Sequence, residues 1–370
     1  MGSMVAGAGV NPADQNWPWW PLLPLYPYGR RRTLRRELVP GQIWSFEQLQ
    51  GVFYVAVPIR MTAIKVDGGL MLYAPNAATA ECIALVRDLE AIHGPVLSIV
   101  HPSSSGLEHK VGVPAMARAF PGADVWVTPG QWSFPLPLPL SWVGFPAGRT
   151  RVLFENGVPH GDELQWEPLG PVPLGPGPFM EATVMHHASG TLLCTDALIA
   201  ISEQWPELLD LDPTPMLYHG RDHGDEPMDD EPQRRLRGWK RLVLFATCLK
   251  PHGVDQVWRS YPFRWRSNWE LDFDALSRGG RLRVAPILED LVFPRHRQLM
   301  SDWLRRCSSL SVSQLVPSHF QAPIRCDGSV FETMAQDWER GDSAAAEASD
   351  RAFLRSFNRQ IERLGLVPKP

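Results

Sequence analysis

The chain has few cysteines, a modest share of charged residues and no long apolar run, and each shortage argues against a class of protein. Its five cysteines are scattered and form no C-x-x-C pair, so neither a disulfide framework nor a thiolate zinc site is indicated. The apolar stretch from Phe134 to Phe145 is interrupted by prolines and is too short to span a bilayer. A formal net charge of −4 argues against nucleic acid as a partner.

Several enzyme motifs are missing as well. Gly68 and Gly69 lack the further glycines of a phosphate-binding loop, so nucleotide binding has no support. Ser189 lies outside any G-x-S-x-G motif, and a serine hydrolase is therefore not indicated. No signal peptide with a basic and then an apolar region follows the first methionine, so we expect a cytoplasmic protein.

Proline and tryptophan, in contrast, are abundant, with 36 and 15 copies in 370 residues. Their density around Trp17–Pro21 prevents a helix and predicts an extended aromatic arm over residues 1–50. The rings of this arm either wrap the chain's own domain or contact a partner protein or a membrane surface. The basic run Arg30–Arg32 would suit anionic headgroups in the second case.

Beyond the arm, residues 51–340 alternate between strand and helix patterns, which predicts one layered α/β domain. Within it, the acidic segment 219–235 reads either as an exposed loop or as a lid over a site. The Leu/Pro-rich segment 131–142 either lines a pocket or covers a sheet edge. In residues 341–370 the apolar side chains recur at helical spacing, which predicts a closing helix.

Acids and histidines follow three of the predicted strands, where the loops of α/β proteins assemble their sites. The first place runs from Ile99 to His109, the second from Val184 to Asp196, and the third from Leu315 to His319. His101, at the start of the first place, either replaces a metal ligand or simply begins a turn with Pro102.

The order of elements and these three places resemble the DUF4336 family of photosynthetic organisms, a reduced branch of the metallo-β-lactamase-like fold, over about Met61 to Phe320. The resemblance implies a four-layer αββα fold, here with an extended N-terminal arm and a C-terminal helix. The superfamily motif H-x-H-x-D-H stands here as Ser104-x-Gly106-x-Glu108-His109, so two histidine ligands are absent. By resemblance, Glu108, His109, Asp196 and His319 hold the metal, and either His186 or His187 corresponds to the middle histidine of the superfamily. His187 would be a further ligand or a proton carrier, and the catalytic residues are His187 and Asp196.

The two imidazoles and two carboxylates of Glu108, His109, Asp196 and His319 suit iron, zinc or manganese better than an ion that prefers thiolates. Because two histidine ligands are absent, one ion is expected rather than two, with iron or zinc as the candidates. Such an ion lowers the pKa of bound water to about 7 and polarises a carbonyl group. We therefore expect a hydrolase-like enzyme that acts on an apolar small molecule in pigment or photosynthetic metabolism. The alternative is a non-catalytic accessory protein of the photosynthetic apparatus that uses the fold as a binding scaffold. The resemblance also implies a peripheral location at the thylakoid membrane.

Overall fold

The computed structural model describes residues 4–5, 11–17, 25–104, 107–132, 138–175, 177–255, 264–341 and 350–368. In these residues two β-sheets pack face to face, and helices cover the outer face of each sheet. The predicted four-layer αββα architecture is therefore confirmed.

The first sheet contains nine strands, and the chain forms three helices between them. They are β1 (Met4–Val5), β2 (Leu25–Tyr26), β3 (Leu34–Val39), β4 (Ile43–Val52), β5 (Val55–Val66), β6 (Gly69–Tyr73), α1 (Ala80–His93), β7 (Val96–His101), α2 (Leu107–Lys110), α3 (Val113–Ala119), β8 (Asp124–Val127) and β9 (Thr150–Val152). Helices α1 and α3 pack on the outer face of this sheet, while α2 follows the carboxyl end of β7. The strand order is β1-β3-β4-β5-β6-β7-β8-β9, with β2 paired to β4. Strands β3 to β6 are antiparallel, and β6 to β9 are parallel.

The second sheet has the order β10-β11-β12-β17-β18 and carries the C-terminal helices. The remaining strands are β10 (Leu164–Pro173), β11 (Pro178–His186), β12 (Thr191–Cys194), β13 (Leu198–Ile199), β14 (Val254–Asp255), β15 (Arg264–Trp265), β16 (Arg283–Val284), β17 (Gln314–Pro317) and β18 (Ile324–Arg325). The remaining helices are α4 (Leu208–Leu211), α5 (Thr214–His219), α6 (Pro232–Cys248), α7 (Trp269–Ser277), α8 (Pro286–Leu291), α9 (Arg297–Ser308), α10 (Gly328–Arg340) and α11 (Ala352–Arg363).

The two-residue period of the strands explains how the layers form. In β7, Ile99 packs against the helices, whereas the next residue, Val100, faces the second sheet. Because both faces of such a strand are buried, its sequence is an almost continuous apolar run. Helices α9 and α10 cover the second sheet in the same way, with Trp303 and Trp338 in the core.

The described part of the N-terminal arm packs against its own domain. Trp17 is buried beneath the Arg31 guanidinium, 4.8 Å from the ring centre, and the Tyr26 hydroxyl donates a hydrogen bond of 2.5 Å to Asp212. Residues 18–24, which hold the other predicted anchors, lie outside the described residues. The sheet begins before the predicted boundary at residue 51, because β3 and β4 are already integral strands.

The remaining predicted segments are placed as follows. Residues 223–231 are largely exposed, and α6 begins directly after them. In the Leu/Pro-rich segment, residues 133–137 lie outside the described part of the chain. The predicted closing helix is α11, and residues 342–349 before it are likewise not described. No helix in the described ranges is both long enough and apolar enough to cross a membrane.

Candidate functional site

Asp196 and His319 meet beyond the carboxyl ends of β12 and β17 in the second sheet. Strands β12 and β17 are parallel neighbours, with Cys194 opposite Pro317 in the last rung of the ladder. Asp196 and His319 each follow two residues later, so the register brings them side by side. The Oδ1 atom of Asp196 lies 3.1 Å from Nε2 of His319. The structure therefore brings two of the five predicted ligands into contact.

The ring of His319 is held from its other side as well. Its Nδ1 lies 3.1 Å from the carbonyl oxygen of Pro58 in β5, so both ring nitrogens face oxygen acceptors. The buried Arg60 donates hydrogen bonds to the carbonyls of Pro317 and Phe320, on either side of His319. Arg60 is itself paired with the buried Glu47 at 3.0 Å. This network fixes the loop that carries His319.

Glu181 of β11 positions Asp196, and sequence reasoning missed it. Its buried carboxylate accepts hydrogen bonds from the backbone N–H groups of Thr195, Asp196 and Ala197, at 2.6, 3.0 and 3.0 Å. Burial and the nearby charge of Asp196 raise the pKa of Glu181 to about 7, although these backbone donors oppose the shift. The only sequence signal is an acid inside an otherwise apolar strand, where a buried carboxylate requires partners.

The pKa of Asp196 lies below its ordinary value. Burial alone would raise it, but the hydrogen bond and the charge of His319 outweigh burial, and His109 acts in the same direction. Asp196 is therefore ionised at neutral pH.

His109 approaches this pair from the first sheet. It lies in α2, its ring centre is 6.3 Å from that of His319, and its Nδ1 is 3.3 Å from the Pro75 carbonyl oxygen. The helix α2 also contains Glu108, whose side chain is outside the described residues. Of the two positions where the superfamily has histidines, Ser104 hydrogen-bonds the backbone of Pro178 and Met180, and Gly106 is not described. Ser104 therefore joins the two sheets.

His101 is buried at the end of β7, and among the described residues its two ring nitrogens have no hydrogen-bond partner. Burial, reinforced by Lys110 and His109, lowers the pKa of His101 well below its ordinary value. Pro102 continues directly into backbone pairing with the second sheet, since its carbonyl accepts from the Ala182 N–H at 2.7 Å.

His187 does not join the other candidates. It is exposed in the turn after β11, next to His186, which pairs with Thr191 at the beginning of β12. Asp196 follows the opposite end of β12, because β11 and β12 are antiparallel. The structure thus corrects the placement of His187 that the resemblance implied.

A cavity of about 350 Å³ opens beside Asp196 and His319. Its walls are mainly apolar and come from both sheets and from helices α6 and α8. The lining residues are Val57, His109, Phe179, Asp196, Ile199, Ala246, Thr247, Ala285, Pro286, Ile287, Leu288, His319 and Phe320. An apolar cavity with a few converging polar groups is the usual form of a small-molecule site. Sequence analysis did not identify the α6 and α8 walls, because their residues belong to ordinary apolar helix faces.

The donors do not form a complete metal site in this arrangement. Within the described ranges, no three His, Cys, Asp or Glu side chains are grouped closely enough to hold an ion. The spacing of Asp196 and His319 suits two ligands of one ion, since ligands bound at about 2 Å lie about 3 Å apart. His109 is too distant, because imidazoles that share a tetrahedral ion have ring centres about 5 Å apart, against 6.3 Å here.

Comparison with solved structures found similar proteins at low identity. The metal-soaked Flv1 flavodiiron core from Synechocystis is 12% identical with a TM-score of 0.45, over 91% of this chain and 70% of that one. A fragment of diflavin flavoprotein A 5 from Nostoc is 11% identical with a TM-score of 0.43, over 87% and 98%. A metallo-β-lactamase from Hirschia baltica is 10% identical with a TM-score of 0.39, over 83% and 97%.

These similarities carry no argument about activity, and the fold assignment depends on the layers and strand order described above. That architecture is the metallo-β-lactamase-like fold. None of the curated proteins compared with the chain matches it. The family model described as "Domain of unknown function (DUF4336)" matches residues 40–336. Because this match spans most of the 370 residues, the chain belongs to the DUF4336 family.

Proposed function

We propose that the chain is a hydrolase-like enzyme that binds an apolar small molecule in the cavity and uses Asp196 and His319 as its reacting pair. The observation that carries the proposal is the contact of 3.1 Å between these two side chains at the polar end of an otherwise apolar cavity. The setting in pigment or photosynthetic metabolism depends on the family resemblance and stays a prediction.

The pair supports acid–base chemistry on a bound ester or amide. Asp196 is the group that is ionised at neutral pH, so it accepts a proton from an attacking water molecule. The same proton then passes to the leaving group when the bond to the carbonyl carbon breaks. His319 is held by Pro58 and orients the carboxylate, while Glu181 fixes the backbone of Asp196.

A second candidate is the same reaction assisted by one ion, iron or zinc. It is favoured by the orientation of the two imidazoles, since both His109 and His319 direct Nδ1 to a main-chain carbonyl. Metal-ligating histidines are commonly held in this way. Asp196 and His319 would hold the ion, with His109 after a small approach. A bound ion would supply Lewis-acid polarisation of the carbonyl group and an acidic water.

The deciding experiment measures hydrolysis of p-nitrophenyl esters of increasing acyl length, together with iron and zinc content by elemental analysis. We expect Asp196→Asn to reduce turnover by about 10²–10⁴-fold, the usual contribution of a general acid–base group. Asp162→Asn is the matched control, because Asp162 is an exposed acid remote from the cavity lining.

Metal content separates the two candidates. Stoichiometric iron or zinc that is lost in Asp196→Asn and His319→Ala would support the metal-assisted reaction. Turnover by metal-free protein would support the acid–base pair acting alone. If the folded protein binds apolar fluorescent probes in the cavity yet hydrolyses none of the esters, the enzyme proposal fails and the accessory-protein alternative stands.

A further inference from the structure

Helix α11 carries an apolar stripe that remains exposed among the residues the structure describes. Its buried side chains, Leu354 and Asn358, lie on one face of the helix, which packs against α8. Phe353, Phe357 and Leu364 lie on an adjacent face and are 38%, 40% and 65% exposed. The two phenylalanine rings stack almost parallel, with centroids 6.3 Å apart. Exposed apolar side chains grouped in this way mark an interaction surface.

The exposed charged side chains of α11 are positive. Glu362, the one acid of α11, is bound to Arg295 at 2.7 Å. Arg359 and Arg363 are exposed on the side of the helix away from α8. The outward surface of α11 is therefore apolar and cationic, without an exposed acid to balance it.

The helix is firmly attached to the domain at its beginning. The buried Arg351 binds both oxygens of Asp290 at 2.5 and 2.6 Å and reaches Glu289 at 2.9 Å. Both acids belong to α8, whose Pro286–Leu288 segment lines the candidate cavity. The exposed stripe is therefore a surface of a fixed helix that shares α8 with the cavity.

We propose that α11 docks the protein on an anionic lipid surface. Phe353, Phe357 and Leu364 enter the interfacial region, and the guanidinium groups of Arg359 and Arg363 contact lipid phosphates. An apolar stripe rich in Phe and Leu beside exposed arginines is the pattern of helices that lie in a membrane interface. A second copy of the chain fits less well, since it would bring the same cationic side chains together without an acid between them.

The test is co-sedimentation of the full chain with vesicles of phosphatidylcholine alone or mixed equally with phosphatidylglycerol. We expect at least about tenfold tighter binding to the anionic vesicles at low salt, since arginines near such a surface are attracted to its negative charge. This preference should disappear at about 0.5 M salt, where charge interactions are screened. The wild-type measurement needs no variant and tests the proposal directly.

Variants then assign the binding to α11. Phe353→Ser with Phe357→Ser should weaken binding at least tenfold, and Arg359→Gln with Arg363→Gln should remove the anionic preference. The matched control is Ile92→Ser, which removes a side chain that is 74% exposed on α1. Circular dichroism checks that each variant is folded.

Three results would overturn the proposal: equal binding to both vesicle types, binding unchanged in the phenylalanine double variant, or no vesicle binding at all. Self-association that depends on Phe353 and Phe357, measured by light scattering without vesicles, would identify a second copy as the occupant instead. Ester hydrolysis is measured without vesicles, so failure of the proposed function leaves this test unaffected.

Discussion

Two histidines make the same first contact and differ in the second. His219 in α5 is buried, whereas His319 after β17 is only partly buried. Each directs one ring nitrogen, at 3.1 Å, to a main-chain carbonyl: His219 to that of Tyr54, just before β5, and His319 to that of Pro58 in β5. The other nitrogen of His319 faces the carboxylate of Asp196. His219 instead lies near the arginines at 221 and 241.

The difference separates a buried histidine that stays neutral from one that faces a cavity. The pKa of His219 is lowered to about 3, mainly by burial; the Tyr54 carbonyl opposes the shift, and the charges of Arg241 and Arg221 add to it. His219 is therefore a neutral structural residue. His319 has the carboxylate of Asp196 beside it and lines the cavity. The backbone contact holds each ring, and the two sites differ in burial and in the second neighbour.

The largest expected effect comes from removing the support of His319. Arg60→Met leaves Glu47 as an unpaired buried charge and frees the carbonyls on both sides of His319. We expect a loss of about 3–5 kcal/mol in the free energy of unfolding, measured by urea denaturation. The control is the double variant Arg60→Met with Glu47→Met, which should lose less because no charge is left unpaired. A loss below about 1 kcal/mol in the single variant would contradict the proposed support.

A smaller effect, which depends on pH, tests the neutral state of His219. The unfolded chain binds a proton on this residue below about pH 6.5, whereas the folded protein does so only near pH 3. The unfolded state is therefore favoured by about 1.4 kcal/mol for each pH unit between these values. Because of His219, the free energy of unfolding therefore decreases as the pH falls from about 6.5 towards 3.

His219→Gln keeps a donor for the Tyr54 carbonyl and removes this titration. We expect the variant to lose stability less steeply than wild type on acidification, with a relative gain of about 3 kcal/mol at pH 4.5. Urea unfolding at pH 7 and pH 4.5 measures the difference. If the free energy of unfolding changed equally with pH in the two proteins, His219 would have the same pKa in the folded and unfolded states. The contrast with His319 would then be lost.

The smallest expected effect concerns His187. Because this side chain is exposed at the far end of β11, His187→Ala should change the unfolding free energy by less than about 0.5 kcal/mol. Metal content and ester hydrolysis should also remain unchanged. A tenfold fall in hydrolysis would restore His187 to the site and contradict its position in the structure.

The layers of the fold were accessible from the sequence, since runs such as that ending in Val100 carry the signature of a strand buried on both faces. The strands before residue 51 could not be predicted in the same way. In β4, buried polar side chains, among them Glu47 and Gln48, interrupt the apolar run that marks a buried strand. The contact of Asp196 with His319 depends on the parallel pairing of β12 with β17, which no local pattern encodes.

The errors at the site have a similar origin. A residue that follows a strand can lie at either end of the sheet, depending on the direction of that strand. The sequence does not give this direction, and His187 was therefore expected at the wrong end. Glu181 acts on backbone N–H groups of a distant segment, and such a contact leaves no motif.

The polar end of the cavity and its apolar lining come from different elements, and this has an evolutionary consequence. Asp196 and His319, the proposed reacting pair, are anchored to the sheets through Glu181 and Arg60, whereas Ile287 and Leu288, which line the cavity, belong to α8. Substitutions in that helix can therefore reshape ligand preference within a lineage while the anchored pair is retained. Divergent members of one family would then share a reaction type and differ in the molecules they accept.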